Sequence, residues 1–158
     1  MPRIRFFAAL VAVLAVGLAS ASEAVAAAGV SLTNGSGRVV MNVRGSLLGT
    51  LERGRLSVRI QASDTQVFVD GTSVRQRTMP DGRVVYTGTG LRFRVFRGGW
   101  RVVIDGSGIN ASAGGRGLVS LRGNGQYSVD GAASHAWSSS WQVIRLGPRT
   151  TRTFGQQR

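Results

Sequence analysis

Six Asx-Gly dipeptides divide this chain, at Asn34-Gly35, Asp70-Gly71, Asp81-Gly82, Asp105-Gly106, Asn124-Gly125 and Asp130-Gly131. Asn and Asp tolerate positive φ and Gly enters it freely, so such pairs belong where the backbone turns sharply, above all in hairpins. Short runs of alternating apolar and polar residues lie between them, the period of a strand with one buried face. No window carries a helical period. Of the three prolines only Pro80 falls inside the patterned region, in the turn Met79-Pro80-Asp81-Gly82, which suits an uninterrupted ladder. The spacing predicts an all-β fold, an antiparallel sandwich or roll of about ten short strands between residues 38 and 146, with a short β-solenoid as the alternative.

Three hairpins follow from turn position and register. Leu91–Arg97 and Trp100–Asp105 flank Gly98-Gly99; a two-residue loop there pairs Val95 with Val102 and Phe93 with Ile104 on an apolar face. The opposite face then carries Arg92, Arg94, Phe96 and Arg101. A second hairpin turns at Gly123-Asn124-Gly125, setting Leu121 against Tyr127. A third turns at Arg53-Gly54, setting Leu51 against Leu56 and Leu47 against Ile60. The last two read alike. Gly35-Ser36-Gly37, Arg44-Gly45 and Gly54-Arg55-Leu56-Ser57-Val58 in one answer to Gly106-Ser107-Gly108, Arg116-Gly117 and Gly125-Gln126-Tyr127-Ser128-Val129 in the other. A true repeat would mean two related β-units packed together.

The N-terminus reads as an export signal over residues 1–28. Arg3 and Arg5 precede a thirteen-residue apolar stretch, Phe6–Leu18, and small residues then offer cleavage after Ala21, Ala26 or Ala28. That stretch falls short of the ~20 residues of a membrane-spanning helix, so no stable span is expected after cleavage. Residues 29–147 form the expected all-β domain, and 148–158, with three arginines and no β pattern, a disordered basic tail. The chain has no Cys, so the exported domain relies on packing and sheet hydrogen bonds.

Every one of the 20 basic residues is arginine. Beyond residue 28, 18 arginines face six carboxylates. Guanidinium grips phosphate, sulfate and carboxylate bidentately, and a field of this size attracts anionic polymers. Codon usage in a GC-rich genome accounts for the absence of lysine without any binding role, but not so readily for the size of the net charge. Arg92, Arg94 and Arg101 with Phe96 form the candidate ligand surface. Trp137 and Trp141 are a separate candidate, stacking on sugar rings or plugging the end of the sandwich. Arg55 and Arg59 share a face of another strand.

Catalysis finds little footing. The single His135 sits beside Ser134, but neighbours on a strand point to opposite faces, and no G-x-S-x-G elbow occurs. Four of the six carboxylates beyond residue 28 precede glycine, where turn roles occupy them. One His and no Cys offer zinc too few ligands, no calcium loop is present, and no glycine run has the phosphate-loop pattern. No enzyme activity, catalytic residue, metal or cofactor is expected.

Within Gly88–Gly131, the pieces Gly90-Leu91-Arg92-Phe93-Arg94, Gly106-Ser107-Gly108-Ile109-Asn110 and Gly115-Arg116-Gly117 resemble a family of small exported, glycine-rich, β-predicted proteins of high-GC bacteria whose function is unknown. The resemblance covers 44 of 158 residues and implies export, a β fold and no particular activity. The expectation is a non-enzymatic module, secreted or held in the cell envelope, that binds an anionic cell-wall or extracellular polymer such as an acidic polysaccharide. The alternative is a structural module whose partner is an envelope protein or itself. Nucleic acid is not the expected physiological partner.

Overall fold

The computed structural model describes residues 29–147. The expected export signal and basic tail lie outside the described residues. Six strands make one antiparallel sheet, not closed into a barrel: β1 (Gly29–Ile60), β2 (Gln66–Thr78), β3 (Val84–Phe96), β4 (Gly99–Val129), β5 (His135–Ala136) and β6 (Gln142–Leu146). There is no helix among them. The antiparallel all-β expectation holds, but β1 and β4 run far longer than the short strands foreseen.

The register explains that length. Val30 pairs with Val129, Arg44 with Arg116 and Ile60 with Trp100; Gln66 then pairs with Phe96 and Thr78 with Val84. Residues 29–78 and 84–129 are therefore the two arms of one hairpin. Its tip is Met79–Arg83, closed by the Gly82 amide donating to the Met79 carbonyl (3.0 Å) and the Met79 amide to the Arg83 carbonyl (2.7 Å). A second register docks the ribbon on itself. Val39 pairs with Leu121 and also with Ile104, and Ile104 pairs in turn with Leu56. Val39 and Leu56, seventeen residues apart, thus flank the same partner while running the same way. The two-stranded ribbon coils, and successive turns zip edge to edge. β5 and β6 cover one outer edge along β4, and β2 forms the other.

Coiling needs corners, and glycine supplies them. Gly123, Gly37, Gly106, Gly54 and Gly88 are consecutive cross-strand partners, a line of glycines across five strand segments. Gly54 (φ +142°) and Gly106 (φ +157°) face each other in that line. A Cβ on Gly54 would strike the Asp105 carbonyl oxygen, and one on Gly106 the Arg53 carbonyl oxygen. Each strand can bend here only because its neighbour also lacks a side chain. A second bend line passes through Gly45 and its partner Gly115, with the Gly45 amide donating to the Gly98 carbonyl (3.1 Å).

All three expected hairpins are replaced by this arrangement. Val95 pairs with Leu47 and Val67, not Val102; the link at Arg97-Gly98 (φ +61° and +59°) lets β4 continue beside β1 where β3 leaves off. Gly123 and Gly54 are bends inside continuous strands, not reversals. The inward set changes parity across Gly54, from Leu51 to Leu56, and across Gly106, from Ile104 to Ile109. A two-residue hairpin and a glycine corner leave the same mark on a sequence. The two similar glycine segments likewise lie side by side on one bend line, with Ser36 paired to Ser107 and Gly37 to Gly106, and do not form two packed units.

The inner face holds the core: Val39, Met41, Leu51, Leu56, Leu91, Phe93, Val95, Val102, Ile104, Ile109 and Leu121 are all buried, as the alternation of apolar positions requires. Trp100 is fully buried, and its indole Nε1 donates to the Gly45 carbonyl at 3.0 Å. Glycine-on-glycine bends give a contrast measurable by urea denaturation. Gly106→Ala should cost roughly 3 kcal/mol or more, from clash and backbone strain together. Gly114→Ala, whose Cβ would meet nothing nearer than the Ser46 hydroxyl at 3.9 Å, should stay within about 1 kcal/mol of the parent.

Candidate functional site: an arginine-lined groove

Alternation along the coil points Arg38, Arg55 and Arg59 outward, because their neighbours Val39, Leu56 and Val58 enter the core. Coiling then aligns them. Reading across the sheet, Arg122 pairs with Arg38, Arg38 with Asp105, Asp105 with Arg55, Arg55 with Thr87 and Thr87 with Arg75. At about 4.8 Å per strand this row spans about 24 Å. Two residues along, Val40, Val103, Ser57, Val85 and Arg77 form the adjacent row. Beyond it Arg101 sits between Asn42 and Arg59. A half-buried strip of valine and serine thus lies between two lines of arginine.

At the β2 end the strip deepens into a groove of about 520 Å³. Arg38, Arg55, Arg75, Arg77 and Arg83 surround it, with Ser57, Val85, Val103 and Met79 beneath. Two carboxylates answer these cations. Asp105 takes Arg38 in a two-pronged pair, Nε to Oδ1 at 2.6 Å and Nη2 to Oδ2 at 2.8 Å, and that hydrogen bond and charge raise the Arg38 pKa further above its ordinary value. Asp81 at the hairpin tip pairs with Arg83 at 3.2 Å. Among the described residues no carboxylate lies within ion-pair distance of Arg55, Arg75 or Arg77. Ser57 is 6% exposed, and its hydroxyl has no hydrogen-bond partner among the described residues. A hydroxyl shut away without a partner costs about 1–3 kcal/mol, so this group is poised to accept one.

The sequence-derived candidates divide between two faces. Arg92, Arg94 and Phe96 lie together on an outer face, as expected, but Arg101 does not join them. Arg92 pairs with Thr50, before the bend at Gly54, and Arg101 with Arg59, after it. The shared face required the β3–β4 hairpin that does not form. Arg92 and Arg94 instead stand beside β2, where Asp70 is 3.1 Å from Arg92 and Phe68 meets Phe96 edge-on at 6.3 Å. Both partners of the Arg92–Asp70 pair are 74% exposed, which makes it worth little. Phe68, which the alternation alone did not single out, is 56% exposed there.

The tryptophans also part. Trp137 is 6% exposed, its ring laid where Gly35 has no side chain, so it closes the end of the sheet. Trp141 is 46% exposed, with the Arg122 guanidinium 4.9 Å from its ring centre. It stands at one end of the arginine row. His135 stacks against Tyr127 at 5.4 Å, and among the described residues no three His, Cys, Asp or Glu side chains gather as metal ligands.

The groove residues Arg38, Arg75, Arg77, Arg83 and Ser57 were not picked out as a site by sequence reasoning. A signal existed. Gly37-Arg38-Val39-Val40-Met41 recurs seventeen residues later as Gly54-Arg55-Leu56-Ser57-Val58, the coil's own period. No family model matches this chain, and neither does any curated protein or solved structure.

Asp105 is a discriminating position. It precedes Gly106, but its side chain serves Arg38 across the sheet. With the two side chains 44% and 27% exposed, Asp105→Asn should lower stability by at most about 1 kcal/mol in urea denaturation. It should also delay elution from a cation exchanger, since a positive face loses its central negative charge.

Proposed function

We propose that this protein is an exported, non-enzymatic module of the cell envelope or extracellular space that binds an anionic polymer, such as an acidic polysaccharide, along its arginine row. The observation that carries the reading is the alignment of Arg122, Arg38, Arg55 and Arg75 across about 24 Å of sheet with one interposed carboxylate, Asp105. A linear polyanion can follow such a row and meet several guanidinium groups at once. A compact small anion could use only one or two of them. Trp141 offers a sugar ring a flat surface at one end, Arg59 and Arg101 add charge on the far side of the valine strip, and Arg77 adds charge at the strip's own end. Arg92, Arg94 and Phe96 make a secondary patch on the other side of the bend.

Contacts of this kind are exposed and fall off over about 8 Å at physiological ionic strength, so binding is salt-sensitive and tolerant of polymer sequence. In a titration with polygalacturonate, affinity should drop at least about tenfold between 50 and 300 mM NaCl, the screening lengths expected at those concentrations deciding the direction. The triple variant Arg38→Gln, Arg55→Gln, Arg75→Gln should lose most of the binding. Arg92→Gln with Arg94→Gln should lose far less, and Asp105→Asn should bind more tightly. Binding that ignores salt, or that follows Arg92 and Arg94, would end this reading.

The open sheet edges favour a second reading. Among the described residues β2 and β6 each have one edge with no strand beside it, and Val143 on β6 is 64% exposed. Strand addition by another copy or by an envelope protein would use these edges. Sedimentation velocity from 5 to 200 μM separates the two readings. A monomer throughout, with polymer binding intact, leaves the arginine row as the functional surface.

A further inference from the structure

We infer that the groove at the β2 end of the arginine row is a site for a tetrahedral oxyanion ester, a phosphate or sulfate group carried on the bound polymer. This rests on the polymer-binding reading and names the group it would recognise. The row as a whole is indifferent to which anion it meets, but the groove is not built like the rest of the row. Three guanidinium groups, Arg55, Arg75 and Arg77, border one cavity with no carboxylate partner among the described residues. Asp105, the carboxylate that lines the cavity, is committed with both oxygens to Arg38, and Asp81 near its rim is held by Arg83. Beneath them lies the Ser57 hydroxyl, buried and without a hydrogen-bond partner among the described residues.

A carboxylate has two oxygens and is satisfied by a single two-pronged guanidinium. Three guanidinium groups and a hydroxyl need an acceptor with more oxygens set in three dimensions, and phosphate monoesters and sulfate esters provide three. The rest of the cavity fits the carrier. Val85, Val103 and Met79 give an apolar floor against which the carbon face of a sugar or glycerol unit can rest. Ser57 is central to the argument because strand alternation, between the core residues Leu56 and Val58, puts its side chain on the groove's face of the sheet, where it lines the groove.

Calorimetry at constant ionic strength tests this, titrating the purified protein with inorganic phosphate, sulfate and acetate, and in parallel with polygalacturonate and dextran sulfate, whose sulfate esters carry three terminal oxygens. Phosphate and sulfate should bind and should displace dextran sulfate, whereas acetate should need at least about ten times the concentration, the difference between one guanidinium contact and several. Ser57→Ala should weaken inorganic phosphate about threefold, the scale of one hydrogen bond, and leave polygalacturonate binding unchanged. Arg75→Gln with Arg77→Gln, both on the exposed edge strand, should abolish the preference for phosphate over acetate even if Ser57→Ala lowers the melting temperature. Acetate competing as well as phosphate, with polygalacturonate still bound, would overturn the oxyanion site and leave the polymer reading standing. Phosphate bound in the groove with no affinity for either polymer would overturn the polymer reading instead. Free sulfate bound as tightly as dextran sulfate would show that the ester's carrier adds nothing and overturn its role.

Discussion

The close approach of backbones at paired glycines is the contact on which the rest of this molecule depends. A β-ribbon of ordinary sequence twists gently and stays open. Here it must bend sharply twice in each seventeen-residue turn, or its second turn would not lie beside its first. The Gly54 and Gly106 positions meet at such a bend with no room for a Cβ on either. The requirement is mutual, because a bend on one strand is compatible with the ladder only where its neighbours bend too. This is why glycine recurs as a line across Gly123, Gly37, Gly106, Gly54 and Gly88, and why a chain without disulfides can hold a coiled sheet together.

Once the ribbon coils, both of its faces acquire meaning. The inner face closes on itself and buries Phe93, Val102, Ile104 and their neighbours, the hydrophobic gain that holds successive turns in place. The outer face inherits whatever the alternation leaves over, and here that is arginine. Coiling stacks Arg38 over Arg55 with Asp105 between them, so charges far apart in sequence become neighbours. Guanidinium groups at this spacing repel one another, and Asp105 relieves only part of that repulsion. An arginine's long stem can cover apolar surface while its head stays in water, and the adjacent valine strip offers such a surface. A bound polyanion would relieve the remainder, so the same charges that weaken the free fold favour the complex.

Much of the local structure was legible in the chain, and the long-range pairing was not. The inward positions of Phe93, Val95, Val102 and Ile104 followed from alternation and hold. Positive φ was expected at the Asx-Gly pairs and is found at each, on Asn34, Gly71, Gly82, Gly106, Gly125, and both Asp130 and Gly131. Yet only Asp81-Gly82, at the tip of the long hairpin, and Asp130-Gly131, at the turn from β4 back to β5, mark reversals of the chain. At Gly54 and Gly98 the change of parity pointed equally to a reversal or to a bend that carries on, and the shorter connection was the natural choice. Arg92, Arg94 and Phe96 came together because they share one strand, which alternation can see. Arg101 was assigned to their company through a pairing that the coil replaces.

What the sequence determined alone is therefore the one-dimensional pattern: strands, their buried faces, the places where only glycine fits, and a strong excess of arginine. Each follows from properties of a residue and its immediate neighbours. The tertiary structure decided which strand lies beside which, because a glycine at 54 becomes a corner only if a glycine at 106 stands across from it. That single choice turned three separate hairpins into one coiled ribbon, sent Arg101 to a different face from Arg92, and drew Arg38, Arg55 and Arg75 into line. Cross-strand contact is a relation between distant residues, and no local preference encodes it.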